Sequence, residues 1–179
     1  MVSEAKLVLS SLCSDGMVLQ QNDNATVWGT ADPGSQITVT PSWSGRSYSA
    51  KAGKDGRWTV KVATPQGSYK AYTMTVKGNG ETIRIKDILV GEVWLASGQS
   101  NIEMPMRGFY NCPVEDALEY ISAPAATEKI RMFTVPVKQS YEPLSEVDSR
   151  WQGAESSTIP DMSATAYFFA RKLNETLDI

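Results

Sequence analysis

Before residue 87 the chain alternates apolar and polar side chains one for one, stretch after stretch. That period constrains its fold more than any other feature. Thr26-Val27-Trp28-Gly29, Gln36-Ile37-Thr38-Val39-Thr40, Arg57-Trp58-Thr59-Val60-Lys61-Val62, Tyr72-Thr73-Met74-Thr75-Val76-Lys77 and Glu81-Thr82-Ile83-Arg84-Ile85-Lys86 all carry it. Successive side chains of a strand point to opposite faces, so the pattern predicts strands with one face in a core and one in water. Asp32-Pro33-Gly34, Lys54-Asp55-Gly56 and Gly78-Asn79-Gly80 supply turn chemistry between them. Short strands at this spacing predict a β-sandwich domain over residues 1–86. Trp28 and Trp58 are expected in its core. Trp43, flanked by Ser42, Ser44 and Gly45, reads either as a packing residue or as a loop aromatic that stacks on a sugar ring.

The pattern changes at Asp87. Ile88-Leu89-Val90-Gly91-Glu92-Val93-Trp94-Leu95-Ala96 is almost continuously apolar, as a strand covered on both faces would be. Val114, Ala117, Leu118 and Ile121 form a helical stripe behind Pro113, which predicts a short helix over Pro113–Ile121. Ile130-Arg131-Met132-Phe133-Thr134-Val135 predicts another strand. Ala166, Phe169, Ala170, Leu173 and Leu177 fall on one face of a final helix, with Ser163 or Asp161 as its cap. Strand, helix, strand, helix is the opening of an α/β domain with a parallel sheet, here over residues 87–179. Almost no linker separates the two domains, so they are expected to pack together. A parallel sheet wants four or more strands with helices on both faces. The α/β domain is therefore expected to be incomplete, and the chain to be the front part of a longer protein or one piece of a processed one.

The totals exclude several functions. A net charge of -3 gives no footprint for nucleic acid, which needs clustered Lys and Arg. No run approaches the roughly 18 apolar residues of a membrane span, and no polybasic anchor is present. Met1–Lys6 has neither a basic n-region nor an apolar h-region, so no signal peptide is expected there. The two cysteines, Cys13 and Cys112, match no metal motif, and with no histidine in the chain a zinc site would need carboxylates almost alone, so no metal site is expected. They read as two buried free thiols, or as a disulfide if the protein is exported.

Chemistry concentrates at Gly98-Gln99-Ser100-Asn101, four small or polar residues just past the apolar run. A serine outside the carboxyl end of a buried strand stands where open α/β sheets bind ligands. Its hydroxyl can attack a carbonyl carbon, and its own backbone N–H can join an oxyanion hole. The attack needs a base, normally histidine, and the chain has none. No S-x-x-K arrangement follows Ser100 either. On these residues alone, Gly98 and Asn101 equally well make an ordinary strand-to-helix turn. Gln99 and Asn101 read as turn stabilisers or as substrate contacts, and Glu103 as an exposed or structural carboxylate.

The wider order of motifs narrows this. Met17-Val18-Leu19-Gln20-Gln21, Val27-Trp28-Gly29, Ala31-Asp32-Pro33-Gly34, Gly56-Arg57-Trp58, the block from Gly91 to Pro105, Ile130-Arg131-Met132-Phe133 and Ala164–Arg171 follow one another. In this order they closely resemble the sialate O-acetylesterase family, carbohydrate esterases with an SGNH hydrolase domain. The resemblance runs from about Leu7 to Leu177, and the Gly91–Pro105 block is its most specific part. It implies a flavodoxin-like α/β hydrolase domain beside a β-sandwich, with Ser100 as the nucleophile and an acyl-serine intermediate. The implied substrate is an acetylated sugar or glycan, the implied location secreted, periplasmic or lysosomal, and no cofactor is implied, since the chemistry needs only a nucleophile, a base and an oxyanion hole. The family's histidine, its aspartate and further oxyanion donors have no counterpart in these residues. The chain alone is therefore expected to be inactive, with a second fragment or chain as the partner that would complete the catalytic domain. The alternative is a carbohydrate-binding or structural module without catalysis.

Overall fold

Ten strands and three helices are seen in the computed structural model, which describes residues 6–122 and 129–179. Met1–Ala5, read above for a leader, lies outside the described residues. The chain divides into two units, Met1–Glu92 with Val135–Arg150, and Val93–Thr134 with Trp151–Ile179.

The first unit is built from β1 (Val8–Leu9), β2 (Val18–Gln20), β3 (Asn24–Thr30), β4 (Gln36–Pro41), β5 (Tyr48–Lys51), β6 (Arg57–Ala63), β7 (Ser68–Gly78) and β8 (Glu81–Gly91). They form a three-stranded sheet in the order β1-β3-β6 and a five-stranded sheet in the order β2-β8-β7-β4-β5. The alternation lies directly over these strands. Val27 faces Val60 and Gly29 faces Trp58 across β3 and β6. Val39 faces Val76, and Val76 faces Ile83, across β4, β7 and β8. The side chains of Val27, Ile37, Val39, Trp58, Val60, Val62, Met74, Val76 and Ile85 are buried and make the core of this unit. At roughly 1.5–3 kcal/mol per fully buried large apolar side chain, this burial is the main force holding the sheets. Asn79 and Gly80, both at positive φ (53° and 73°), close the β7–β8 hairpin with the primed-turn geometry that matches strand twist.

Two expectations are corrected here. Trp28 is half-buried on the outer side of its strand, because Ala25, Val27 and Gly29 take the inward positions and a period of two sends residue 28 outward. Residues 88–91 belong to β8 rather than to a separate strand. They pair in parallel with β2 (Val18 with Leu89, Gln20 with Gly91) and antiparallel with β7. Their unbroken apolar character follows from this interior position between two neighbours. Asp87, at φ 55°, marks a bulge: Met74 faces Ile85 and Tyr72 faces Ile88, so both isoleucines turn inward across one extra residue.

The second unit carries α1 (Ser100–Glu103), α2 (Ala117–Ser122), β9 (Arg131–Phe133), β10 (Trp151–Gly153), a 3-10 turn at Ile159–Asp161 and α3 (Ala164–Leu177). Its core is Met106, Ile130, Ile159, Met162, Ala164 and Tyr167, with Val114, Ala117, Tyr120, Ile121 and Phe168 packed against them. β9 and β10 pair antiparallel, and no parallel ladder occurs in this unit among the described residues. Ser163 caps α3 by accepting the Ala166 N–H at 3.3 Å. The buried face of α3 is set by Ala164 and Tyr167, not by Phe169 and Leu177, which are exposed. The preceding helix starts later than expected, at Ala117, and its packed face is Ala117, Tyr120 and Ile121, spaced i, i+3, i+4, so Leu118 points outward and is likewise exposed.

Candidate active site

Ser100 is the first residue of α1 and is exposed. The strand expected to lead into it ends early. Val93–Gly98 has no strand, with Trp94 62% and Leu95 92% exposed. An apolar run becomes a buried strand only when neighbours take up its backbone groups and cover its faces. β2 and β7 do this for residues 88–91, and no strand among the described residues does so for 93–98. The serine therefore follows a largely exposed segment outside any strand.

Backbone hydrogen bonds hold the turn itself. The Gln99 carbonyl accepts the Ile102 and Glu103 N–H groups at 2.9 and 3.1 Å, and the Ser100 carbonyl accepts the Met104 N–H at 2.9 Å. Gln99 acts through its backbone; its side chain makes no cap hydrogen bond. Gly98 lies against Ile102, where a Cβ would stand 2.8 Å from Ile102 Cγ1. The Asn101 carbonyl accepts the Thr165 hydroxyl at 2.9 Å. Past α1, Met106 N–H reaches the Met162 carbonyl at 2.9 Å, and Ala164 N–H reaches the Met104 carbonyl at 2.8 Å. Arg107 and Asp161 form an ion pair beside this bridge. Glu103 is exposed on α1. The structure thus brings Gly98, Gln99, Ser100 and Asn101 into one surface turn, and no histidine exists in the sequence to serve it.

Other residues of the quoted motifs have plain structural roles that sequence reading missed. The Glu92 carboxylate accepts Gln20 Nε2 at 3.2 Å and Gln21 Nε2 at 2.8 Å, and Gln21 Oε1 accepts the Gly67 N–H at 2.8 Å. Gln21 N–H bonds the Gly91 carbonyl at 2.8 Å. This polar cluster ties β2 to the end of β8. The only signal available in advance was the polar pair directly following Met17-Val18-Leu19. Trp43 donates its indole N–H to the Ala63 carbonyl at 2.9 Å and packs edge-on against Tyr72, with ring centroids 5.5 Å apart. That engagement belongs to packing. Cys13 is buried and Cys112 is exposed, both free, so the expectation of two buried thiols fails at Cys112. Cys112 closes an exposed tight turn with Phe109, each accepting the other's N–H at 3.0 Å.

The chain is similar to several characterised proteins. It is 31% identical over 184 residues to a sialate O-acetylesterase of Mus musculus, covering 94% of this chain and 33% of that protein. It is 32% identical over 185 residues to the Homo sapiens sialate O-acetylesterase, covering 94% of this chain and 34% of that protein. The chain thus spans about a third of the length of the curated relatives it matches. A solved carbohydrate acetylesterase from Xanthomonas citri superposes with a TM-score of 0.85 at 30% identity, over 97% of this chain and 38% of that one. No protein-family model matches the chain.

Proposed function

The chain belongs to the sialate O-acetylesterase family, whose members it matches in their N-terminal portion, and from that premise we propose that it carries the nucleophile of a serine esterase acting on O-acetylated sialic acid or related glycans. The observation that carries the reading is Ser100: an exposed serine at the start of a backbone-fixed turn, inside the motif block most specific to the family. In this reading the Ser100 hydroxyl oxygen attacks the acetyl carbonyl carbon and its proton passes to a base. The C–O bond to the sugar then breaks and the sugar hydroxyl leaves protonated. Water hydrolyses the acetyl-serine to acetate. Ser100 contributes its backbone N–H to the oxyanion, with Gln99 and Asn101 shaping the turn. A hydroxyl cannot act at neutral pH without such a base, and with no histidine among these 179 residues the reading takes the base from the part of the relatives that this chain does not span.

In the same reading the first unit is a β-sandwich domain and the second is the N-terminal part of an SGNH-type α/β domain, with the boundary after β8, at Glu92, rather than near residue 86. The exposed apolar segment Val93–Leu95 fits a sheet strand whose neighbours lie in the part of the relatives this chain does not span. The compartment is one where acetylated glycans occur: outside the cell, in the periplasm or in lysosomes. No helix among the described residues is long and apolar enough to cross a membrane. The binding-module reading is less well supported, because Trp43, the ring that the sequence offered for stacking on a sugar, is engaged by Ala63 and Tyr72.

The test is turnover of p-nitrophenyl acetate and of an O-acetylated sialic acid. The chain alone is expected to show none above background. Fused to the remaining two-thirds of a sialate O-acetylesterase, it is expected to turn over both substrates, and Ser100→Ala to abolish this.

A further inference from the structure

The segment bearing Ser100 runs antiparallel along α3 and is held there at three levels. Trp94 packs edge-on against Phe169, with ring centroids 5.3 Å apart. The Thr165 hydroxyl donates to the Asn101 carbonyl at 2.9 Å. The Ala164 N–H donates to the Met104 carbonyl at 2.8 Å. Thr165 and Phe169 are four residues apart and so lie on one face of the helix.

Helix ends explain why this arrangement forms. The last carbonyls and the first N–H groups of a helix have no partners within it. A single turn such as α1 consists almost entirely of such groups. The Asn101 carbonyl would ordinarily take the N–H of residue 105, but residue 105 is proline and has none. The Thr165 hydroxyl stands in its place. At the start of α3, Ala164 has an N–H with no intrahelical acceptor, and the Met104 carbonyl accepts it. Each helix end thus satisfies the other.

We propose that the N-terminus of α3 is the mount of the nucleophile turn, with Thr165 as a positioning residue whose hydroxyl replaces the N–H that Pro105 lacks. The proposal rests on the reading of Ser100 as nucleophile. Thr165 does not touch substrate in it. The residue acts by fixing the backbone from which Ser100 projects, and attack by a nucleophile is steeply sensitive to displacements of about 1 Å.

Thr165→Val removes the donor at nearly constant shape, and Thr165→Ser keeps it. In the 179-residue chain the Met104 N–H, bonded to the Ser100 carbonyl at 2.9 Å, reports the turn by NMR amide exchange. Exchange is expected to quicken about fivefold in Thr165→Val, the scale of one hydrogen bond, and to stay at the wild-type rate in Thr165→Ser. The Val60 N–H, in the other unit, serves as the unchanged control. In the Ser100-dependent esterase fusion, Thr165→Val is expected to lower kcat about fivefold at constant KM, with Thr165→Ser restoring it. Unchanged Met104 exchange in Thr165→Val overturns the proposal, as does a kcat equal to wild type. If Ser100→Ala leaves turnover intact, the esterase reading fails, and Met104 exchange still decides whether Thr165 holds the turn.

Discussion

A methyl group at position 98 would stand 2.8 Å from Ile102 Cγ1, too close for two carbons unless the isoleucine moves. Ile102 is β-branched and stiff at χ1, and its Cγ1 sits next to the backbone of a partly exposed turn, so Gly98→Ala is expected to displace the turn rather than unfold the chain. The expected result is a several-fold fall in kcat of the fused esterase with a stability change of less than about 1 kcal/mol in urea unfolding. Cys13 makes a different prediction. Burial pushes its thiol from 9.0 up to about 11; its backbone hydrogen bond with Trp28 opposes the rise and the Glu146 charge adds to it. That carboxylate also accepts the Ser10 hydroxyl at 3.1 Å. The unfolded chain releases this proton at lower pH than the native one. The folded state is therefore fully favoured below pH 9.0 and loses that advantage as pH rises through about 11. The urea midpoint should fall over this interval, by an amount of order 2 kcal/mol in stability, and Cys13→Ala should remove that part of the fall. At this scale the sequence put Ser100 forward, because a serine among small polar residues stands out without any structure, and the fold places it at the head of an exposed turn. The sequence was illegible for Thr165, whose role depends on a proline 60 residues earlier in the chain that only the fold brings beside it.

β1 is two residues long, and it docks because Gly29 on β3 has no side chain. A Cβ there would lie 2.0 Å from the Val8 carbonyl oxygen, a backbone atom with no room to yield. Gly29→Ala is expected to displace β1 and cost at least about 2 kcal/mol, read from the urea midpoint of the chain. All five alternating stretches form strands, since a period of two against a core leaves one workable register. The short strands β1, β2 and β5 carry too few residues to show a period, so only pairing reveals them. Ile88–Ala96 misled for a related reason. An apolar run says that a segment seeks cover but not which neighbours supply it; β2 and β7 cover residues 88–91. The stripes of the last two helices misled in their outer members, Leu118, Phe169 and Leu177, because short amphipathic helices tolerate apolar residues on a second face.

Across the whole molecule, the strands of the first unit are paired over a buried apolar core, and Glu92 locks β2 to β8. The second unit has a core of its own, yet it leaves Val93, Trp94 and Leu95 exposed directly before the proposed nucleophile. The chemistry shows the same division. The proposed nucleophile is accompanied by no histidine, in a chain that spans about a third of its curated relatives. Family membership was legible from the order of the motifs, whereas no local pattern reveals where a base from another segment would approach. The most direct measurement is turnover of an O-acetylated sialic acid by the chain fused to the remaining part of a sialate O-acetylesterase, with and without Ser100→Ala. The account predicts that the substitution lowers kcat by at least about a thousandfold while the fusion stays folded. Turnover in Ser100→Ala within about twofold of wild type, far short of the loss expected for a removed nucleophile, would contradict it.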